Sequence, residues 1–235
     1  MSSLRVGGFL PLTTIDFPGR LAAVVFCQGC PWRCSYCHNP QLIPAGAEAE
    51  RPWQAVLDFL ERRRGLLDGV VFSGGEPTLQ GPALAHLAAA ARKMGFSVGL
   101  HTNGIFPRVI EDLLDRGILD MISLDIKTTW EHYDDLLELT AADAVKQSLA
   151  VCKRAKVEGR LLVCDVVVTL FRGRESDLPS IARDTRGLDL VLQQGVAPGY
   201  VPLTRQELEA AAAPLGRRVR IRTREDGEIT YDPEP

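Results

Sequence analysis

Six apolar runs recur along the chain, each followed by a stretch of helical character, and this alternation restricts the architecture more than any other feature. "RLAAVVFC" (20–27), "GVVFSGGEP" (69–77), "FSVGLHTNG" (96–104), "LDMISLDIK" (119–127), "RLLVCDVVVTL" (160–170) and "LDLVLQQ" (188–194) read as strands. Between them "PWQAVLDFLERRRG" sets Trp53, Val56, Leu57 and Leu60 at helical spacing, with Pro52 suited to a first turn. The helices "GPALAHLAAAARKMG" and "FPRVIEDLLDRG" stop at Gly95 and Gly117. "AADAVKQSLAVCKRAKVEG" carries Val145, Leu149 and Cys152 on one side. A shorter helix, "ESDLPSIARDTRG", and a last one, "TRQELEAAAAPLG", follow, and "RRVRIRTREDGEITY" closes as a hairpin or terminal strand around Asp226-Gly227.

Strands separated by helices pair in parallel through right-handed crossovers. Six such units make an α/β fold, either a doubly wound sheet or an incomplete barrel. No internal repeat, low-complexity tract or long linker interrupts them, so residues 1–235 read as one domain. Its core runs over about 20–200, with an N-terminal extension at 1–19 and a C-terminal helix and strand or hairpin at 203–235.

Polar signals collect at the ends of the first four strands. A cysteine-rich loop follows the first, Ser73-Gly74-Gly75-Glu76-Pro77 ends the second, His101-Thr102-Asn103-Gly104 the third, and Asp125-Ile126-Lys127 the fourth. In parallel α/β folds the carboxyl ends of the strands open on one face, where sites assemble. The four ends therefore predict one shared site. Asp125 and Lys127 alternate with Leu124 and Ile126, which puts the charged pair on one side of its strand.

The loop "VVFCQGCPWRCSYCHNP" (24–40) holds four of the chain's six cysteines. Disulfides suit oxidising compartments and small domains, and this chain fits neither case. Its N-terminus lacks a signal-peptide core, no apolar run is long enough to span a membrane, and 235 residues bury a core without staples. The cytoplasm is the expected compartment. A net charge of −3 argues against nucleic acid as an obligatory partner. Structural zinc usually draws a second ligand pair from far along the chain, and here the remaining cysteines, Cys152 and Cys164, stand alone in apolar segments. Zinc on Cys30, Cys34, Cys37 and His38 stays the local alternative. Three thiolates on one tight loop suit a cubane cluster whose fourth iron has no protein ligand. Cys27, in "FCQGC", reads as a packed strand residue.

Cys30-x-x-x-Cys34-x-Tyr36-Cys37 resembles the signature of radical S-adenosylmethionine (SAM) proteins. "CHNP" directly after it and "TIDFPGR" (14–20) before it resemble the glycyl-radical-enzyme activating enzymes, most of all the activators of anaerobic ribonucleoside-triphosphate reductase. The similarity weakens after about residue 130. The resemblance implies a partial (β/α)6, TIM-like barrel of the radical SAM type, with a [4Fe-4S] cluster on Cys30, Cys34 and Cys37 at its open top. It further implies SAM on the unique iron, reductive cleavage to a 5′-deoxyadenosyl radical, and removal of a glycine hydrogen from a partner glycyl-radical enzyme. A flavodoxin- or ferredoxin-type donor would supply the electron.

By the same resemblance Tyr36 lies near the adenine and His38 near the cofactor. Gly74, Gly75, Glu76 and Pro77 meet the methionine part of SAM, Glu76 accepting from its ammonium. Thr102, Asn103, Asp125 and Lys127 complete the cofactor contacts. Two positions depart from the family pattern. His101 stands where an aspartate is common, and Cys164-Asp165 where relatives carry an arginine; Cys164 reads as a small buried hydrophobe. Gln193 and Gln194 end the sixth strand on the site face, and the arginines of "ERRRG" and "RRVRIR" read as solvated faces. Two rival functions remain: a radical SAM enzyme acting on a small molecule, of the 7-carboxy-7-deazaguanine synthase type, and a zinc or iron–sulfur module without catalysis.

Overall fold

A computed structural model describes residues 3–133 and 141–233. Nine strands form one sheet in chain order: β1 (Val6–Thr13), β2 (Ala22–Cys27), β3 (Gly69–Gly74), β4 (Ser97–Thr102), β5 (Met121–Asp125), β6 (Val163–Leu170), β7 (Asp189–Gln194), β8 (Val219–Thr223) and β9 (Gly227–Tyr231). Neighbours from β2 to β8 pair in parallel, and β1 and β9 add antiparallel edges. The crossovers carry α1 (Trp53–Glu61), α2 (Gly81–Lys93), α3 (Pro107–Asp115), α4 (Ala142–Val157), α5 (Leu178–Asp184) and α6 (Arg205–Ala212).

Successive strand residues point to opposite faces, and the core divides accordingly. Val25 and Cys27, Val70 and Phe72, Val98 and Leu100, and Cys164 and Val166 join the large cluster that holds the helices. Ala22, Val24, Val71 and Met121 face the other way, onto a small separate cluster centred on Phe17. The sheet curls around that side chain. A methyl group at Gly69 would stand 3.2 Å from the Phe17 ring, and one at Gly99 3.4 Å, so two glycines make room for it. The "TIDFPGR" stretch is thus the plug of a partial barrel. His101 Nε2 donates to the Asp16 carbonyl at 3.0 Å, and Thr13 Oγ1 donates to the Asp16 carboxylate at 2.5 Å, fixing the plug loop. Phe17→Ala is expected to lower the free energy of unfolding by about 3–5 kcal/mol, as for a fully buried aromatic. Urea unfolding checks this, and a loss below ~1 kcal/mol would mean that the inner face repacks without the plug.

The N-terminal extension, to which the run of apolar strands assigns no element, contains β1. Two glycines, Pro11 and register irregularities on either side of Gly8–Leu10 hide its period of two. The C-terminal hairpin is present around Asp226-Gly227, with Gly227 at φ 70°. Among the described residues no helix is long and apolar enough to cross a membrane.

Candidate active site

The loop after β2 returns on itself because Gly29 N donates to the Leu42 carbonyl (2.7 Å) and Cys30 N to that of Ile43 (3.1 Å). The Gln28 amide fastens the far side, donating to Gln41 (3.0 Å) and Pro44 (2.9 Å). Inside this frame Cys30, Cys34 and Cys37 border one cavity of about 300 Å³. Cys27 does not border it: fully buried, it belongs to the helix-side core, as the strand reading expects. Cys152 and Cys164 are buried there too, and all six thiols are free. Burial pushes the Cys30 thiol up to about 12 and raises that of Cys34, against the pull of Lys127. A metal bound here therefore displaces protons.

The second strand end does structural work that a ligand-facing role does not capture. A Cβ on Gly74, whose φ is 113°, would lie 2.4 Å from Cys27 N; one on Gly75 would lie 2.3 Å from the Gly29 carbonyl. Gly75 N and Glu76 N donate to the Cys27 and Gly29 carbonyls at 2.9 and 2.8 Å. These glycines let two backbones touch, which clamps the cysteine loop to β3. Gly74 and Gly75 still border the cavity, whereas Glu76 and Pro77 stand behind its wall. Glu76 is fully buried. Its Oε1 accepts from Thr78 N (2.9 Å), Thr78 Oγ1 (2.5 Å) and Thr102 Oγ1 (2.8 Å), and its Oε2 from Asn103 N (2.8 Å). Burial raises its pKa, and those four donors pull it back. The carboxylate rivets the β3 and β4 ends together.

That rivet aims Asn103. With its backbone N–H on Glu76 and Oδ1 accepting from Ile105 N (3.1 Å), its Nδ2 points at Cys30 Sγ, 3.9 Å away. Thr102 and Asn103 both border the cavity. Asp125 and Lys127 meet it as an ion pair, with Leu124 and Ile126 buried on the opposite side. Burial works against the Lys127 charge, but Asp125 outweighs it and holds the ammonium above its ordinary pKa. Lys127 Nζ also lies 5.6 Å from the centre of the Tyr36 ring. Tyr36 starts an aromatic row: its ring centre is 4.7 Å from that of Phe171, which is 4.7 Å from that of Tyr200. A smaller cavity of about 150 Å³ runs beside the row. His38 Nε2 donates to the Val196 carbonyl at 2.7 Å, tying the cysteine loop to the segment after β7.

Phe171 and Tyr200 carry no local motif that marks them in the sequence. The arginines of "RRVRIR" read in the sequence as a solvated face, and the structure corrects this for two of them. Arg220 and Arg222 point inward from β8: Arg220 pairs with the fully buried Asp165 and with Glu228 (3.1 Å), and Glu228 also takes Arg222 Nε (2.5 Å). Ser123 Oγ donates to Asp165 at 2.5 Å. Asp165 is thus neutralised from β8. Gln193 borders the cavity; Gln194 does not, its amide being spent on the Leu203 carbonyl (2.7 Å) and Arg224 N (3.1 Å).

The residues suit an iron–sulfur cluster with a polar organic ligand beside it. Trp32 Nε1, Asp125 Oδ1 and Arg222 Nη2 are buried without a hydrogen-bond partner, and all three residues line the cavity. Unspent polar groups at one place mark a site whose ligand completes it. Among the described residues no three His, Cys, Asp or Glu side chains converge as a mononuclear metal site requires. A cubane asks for something else, one thiolate at each of three irons.

The family model of the radical SAM superfamily matches residues 24–185. A protein of Methanocaldococcus jannaschii, provisionally named a glycyl-radical enzyme activating enzyme, is 31% identical over 201 residues, covering 82% of this chain and 80% of its own length. The pyruvate formate-lyase-activating enzyme of Listeria monocytogenes is 37% identical over 136 residues, 52% of this chain and 53% of that protein, so the match spans about half of that relative. The crystal structure of QueE from Escherichia coli superposes with a TM-score of 0.55 at 17% identity over 94% of each chain, a likeness of fold.

Proposed function

The chain belongs to the radical SAM superfamily, among its glycyl-radical-enzyme activating enzymes, and on that premise we propose that it cleaves SAM reductively and takes a hydrogen atom from a glycine of a partner enzyme of the anaerobic ribonucleotide reductase kind. Cys30, Cys34 and Cys37 would hold a [4Fe-4S] cluster. Gly74, Gly75, Tyr36, Asp125 and Lys127 would hold SAM. A flavodoxin- or ferredoxin-type protein would deliver the electron. The observation that carries the reading is the ligand count: three cysteines of the loop, and not the fourth, open on a cavity built from the carboxyl ends of the strands.

When bound, the cluster and SAM supply one-electron reduction of a sulfonium and a carbon-centred radical. The chain's own residues bind, orient and shield. The Asp125–Lys127 pair offers opposite charges to a zwitterionic amino acid end, and the Tyr36 row offers a flat apolar face to a planar base. Asn103 donates toward the Cys30 sulfur. Phe17 and the ion network of Asp165, Arg220 and Glu228 close the barrel below, which keeps water from a reactive radical.

The test is electron paramagnetic resonance of a candidate glycyl-radical enzyme incubated anaerobically with the reconstituted protein, SAM and dithionite. A glycine-centred doublet on the partner is expected. SAM turnover that leaves no radical on any partner, but converts a small molecule in a 7-carboxy-7-deazaguanine synthase-like reaction, would move the function to the small-molecule class.

A further inference from the structure

Gln193 and Arg222 occupy facing register positions on neighbouring strands β7 and β8, and both side chains border the cavity. Arg222 is anchored by Nε alone, through Glu228, and its Nη2 is buried with no partner. The Gln193 side chain makes no hydrogen bond among the described residues, which leaves it both a donor and an acceptor. Facing positions on neighbouring strands lie about 4.8 Å apart, so both side chains can reach adjacent polar groups of one ligand. This wall is separate from the cation at the cluster end: Lys127 sits beside Tyr36 and Cys34, whereas Arg222 is held by the terminal hairpin.

Charge decides what the pair can take. Arg220 and Arg222 are matched by Asp165 and Glu228, and Lys127 by Asp125, while Asp16 adds an unmatched carboxylate to the cavity. A further anion would be repelled there. A neutral carbonyl oxygen would use the free guanidinium N–H groups at no electrostatic cost, and a neighbouring N–H would meet the Gln193 amide oxygen. One carbonyl beside one N–H describes a peptide backbone. A target glycine has no side chain by which to be held, so recognition falls on its backbone.

We propose that Gln193 and Arg222 form a backbone clamp that seats the partner's glycine-bearing segment in the cavity, facing the cysteine loop. The clamp rests on the activating-enzyme reading and names how its protein substrate is held. Arg222→Ala and Gln193→Ala, tested on the partner that gains the radical in the resonance assay, are each expected to lower kcat/KM for that partner by about tenfold or more, the loss of one or two hydrogen bonds to the backbone. The SAM dissociation constant, measured by equilibrium dialysis, should stay within about twofold. Arg222→Lys should recover part of the loss. The proposal is overturned if kcat/KM for the partner is unchanged, or if the loss follows weakened SAM binding. Gln193→Ala breaks no internal bond, so it separates the clamp from a folding defect. A wild-type protein that cleaves SAM and marks no glycine overturns the underlying reading instead.

Discussion

Cys34→Ala, reconstituted anaerobically with iron and sulfide, is expected to lose the broad brown absorbance of a [4Fe-4S] protein and nearly all bound iron, while Cys27→Ala keeps both. All four cysteines of the loop crowd one short stretch of sequence. They differ in where the fold turns them. Cys30, Cys34 and Cys37 leave the strand end and border the cavity, whereas Cys27 is the last residue of β2 and packs under the helices, its thiol raised by burial. A buried thiol with no access to the cavity cannot become a ligand without unpairing β2 from β3, to which Cys27 is registered at Gly74. Equal iron loss in both variants, measured per folded chain, would show that the ligand set has been misassigned.

Glu76→Ala is expected to destabilise the fold by about 3–5 kcal/mol, because it strands four buried donors that now share one carboxylate. The same change frees Asn103 from its aim at Cys30, so reconstituted iron should fall as well. Glu76→Gln should cost less, since its carbonyl oxygen can keep the three bonds at Oε1 while its amide faces Asn103 N. Unfolding in urea and iron analysis read the two effects separately. If Glu76→Ala left stability and iron untouched and only weakened SAM binding, the carboxylate would face the ligand, as the family resemblance implies.

The parts of the site legible in the sequence are those whose chemistry is local. A run of cysteines at ligand spacing, two glycines after a strand, and an Asp-x-Lys at a strand end announce themselves within a few residues, and the parallel topology gathers them on one face. Non-local features were silent. Phe17 plugs the barrel because of Gly69 and Gly99, more than fifty residues away. In "RVRIR" the alternation correctly separates Val219 and Ile221 from Arg220 and Arg222 but does not say which face meets water. A curled sheet has a polar interior at its open end, and the arginines belong to it. The strand β1 escaped because glycines and a proline erase the alternation that reveals a strand.

Release of 5′-deoxyadenosine from SAM, under dithionite, by protein carrying a full cluster tests the central claim most directly. If Cys30, Cys34 and Cys37 hold the cluster in the cavity that the Asp125–Lys127 pair also lines, the wild type releases stoichiometric deoxyadenosine and methionine, and Cys34→Ala none. A fully loaded cluster that binds SAM and releases no deoxyadenosine would contradict it.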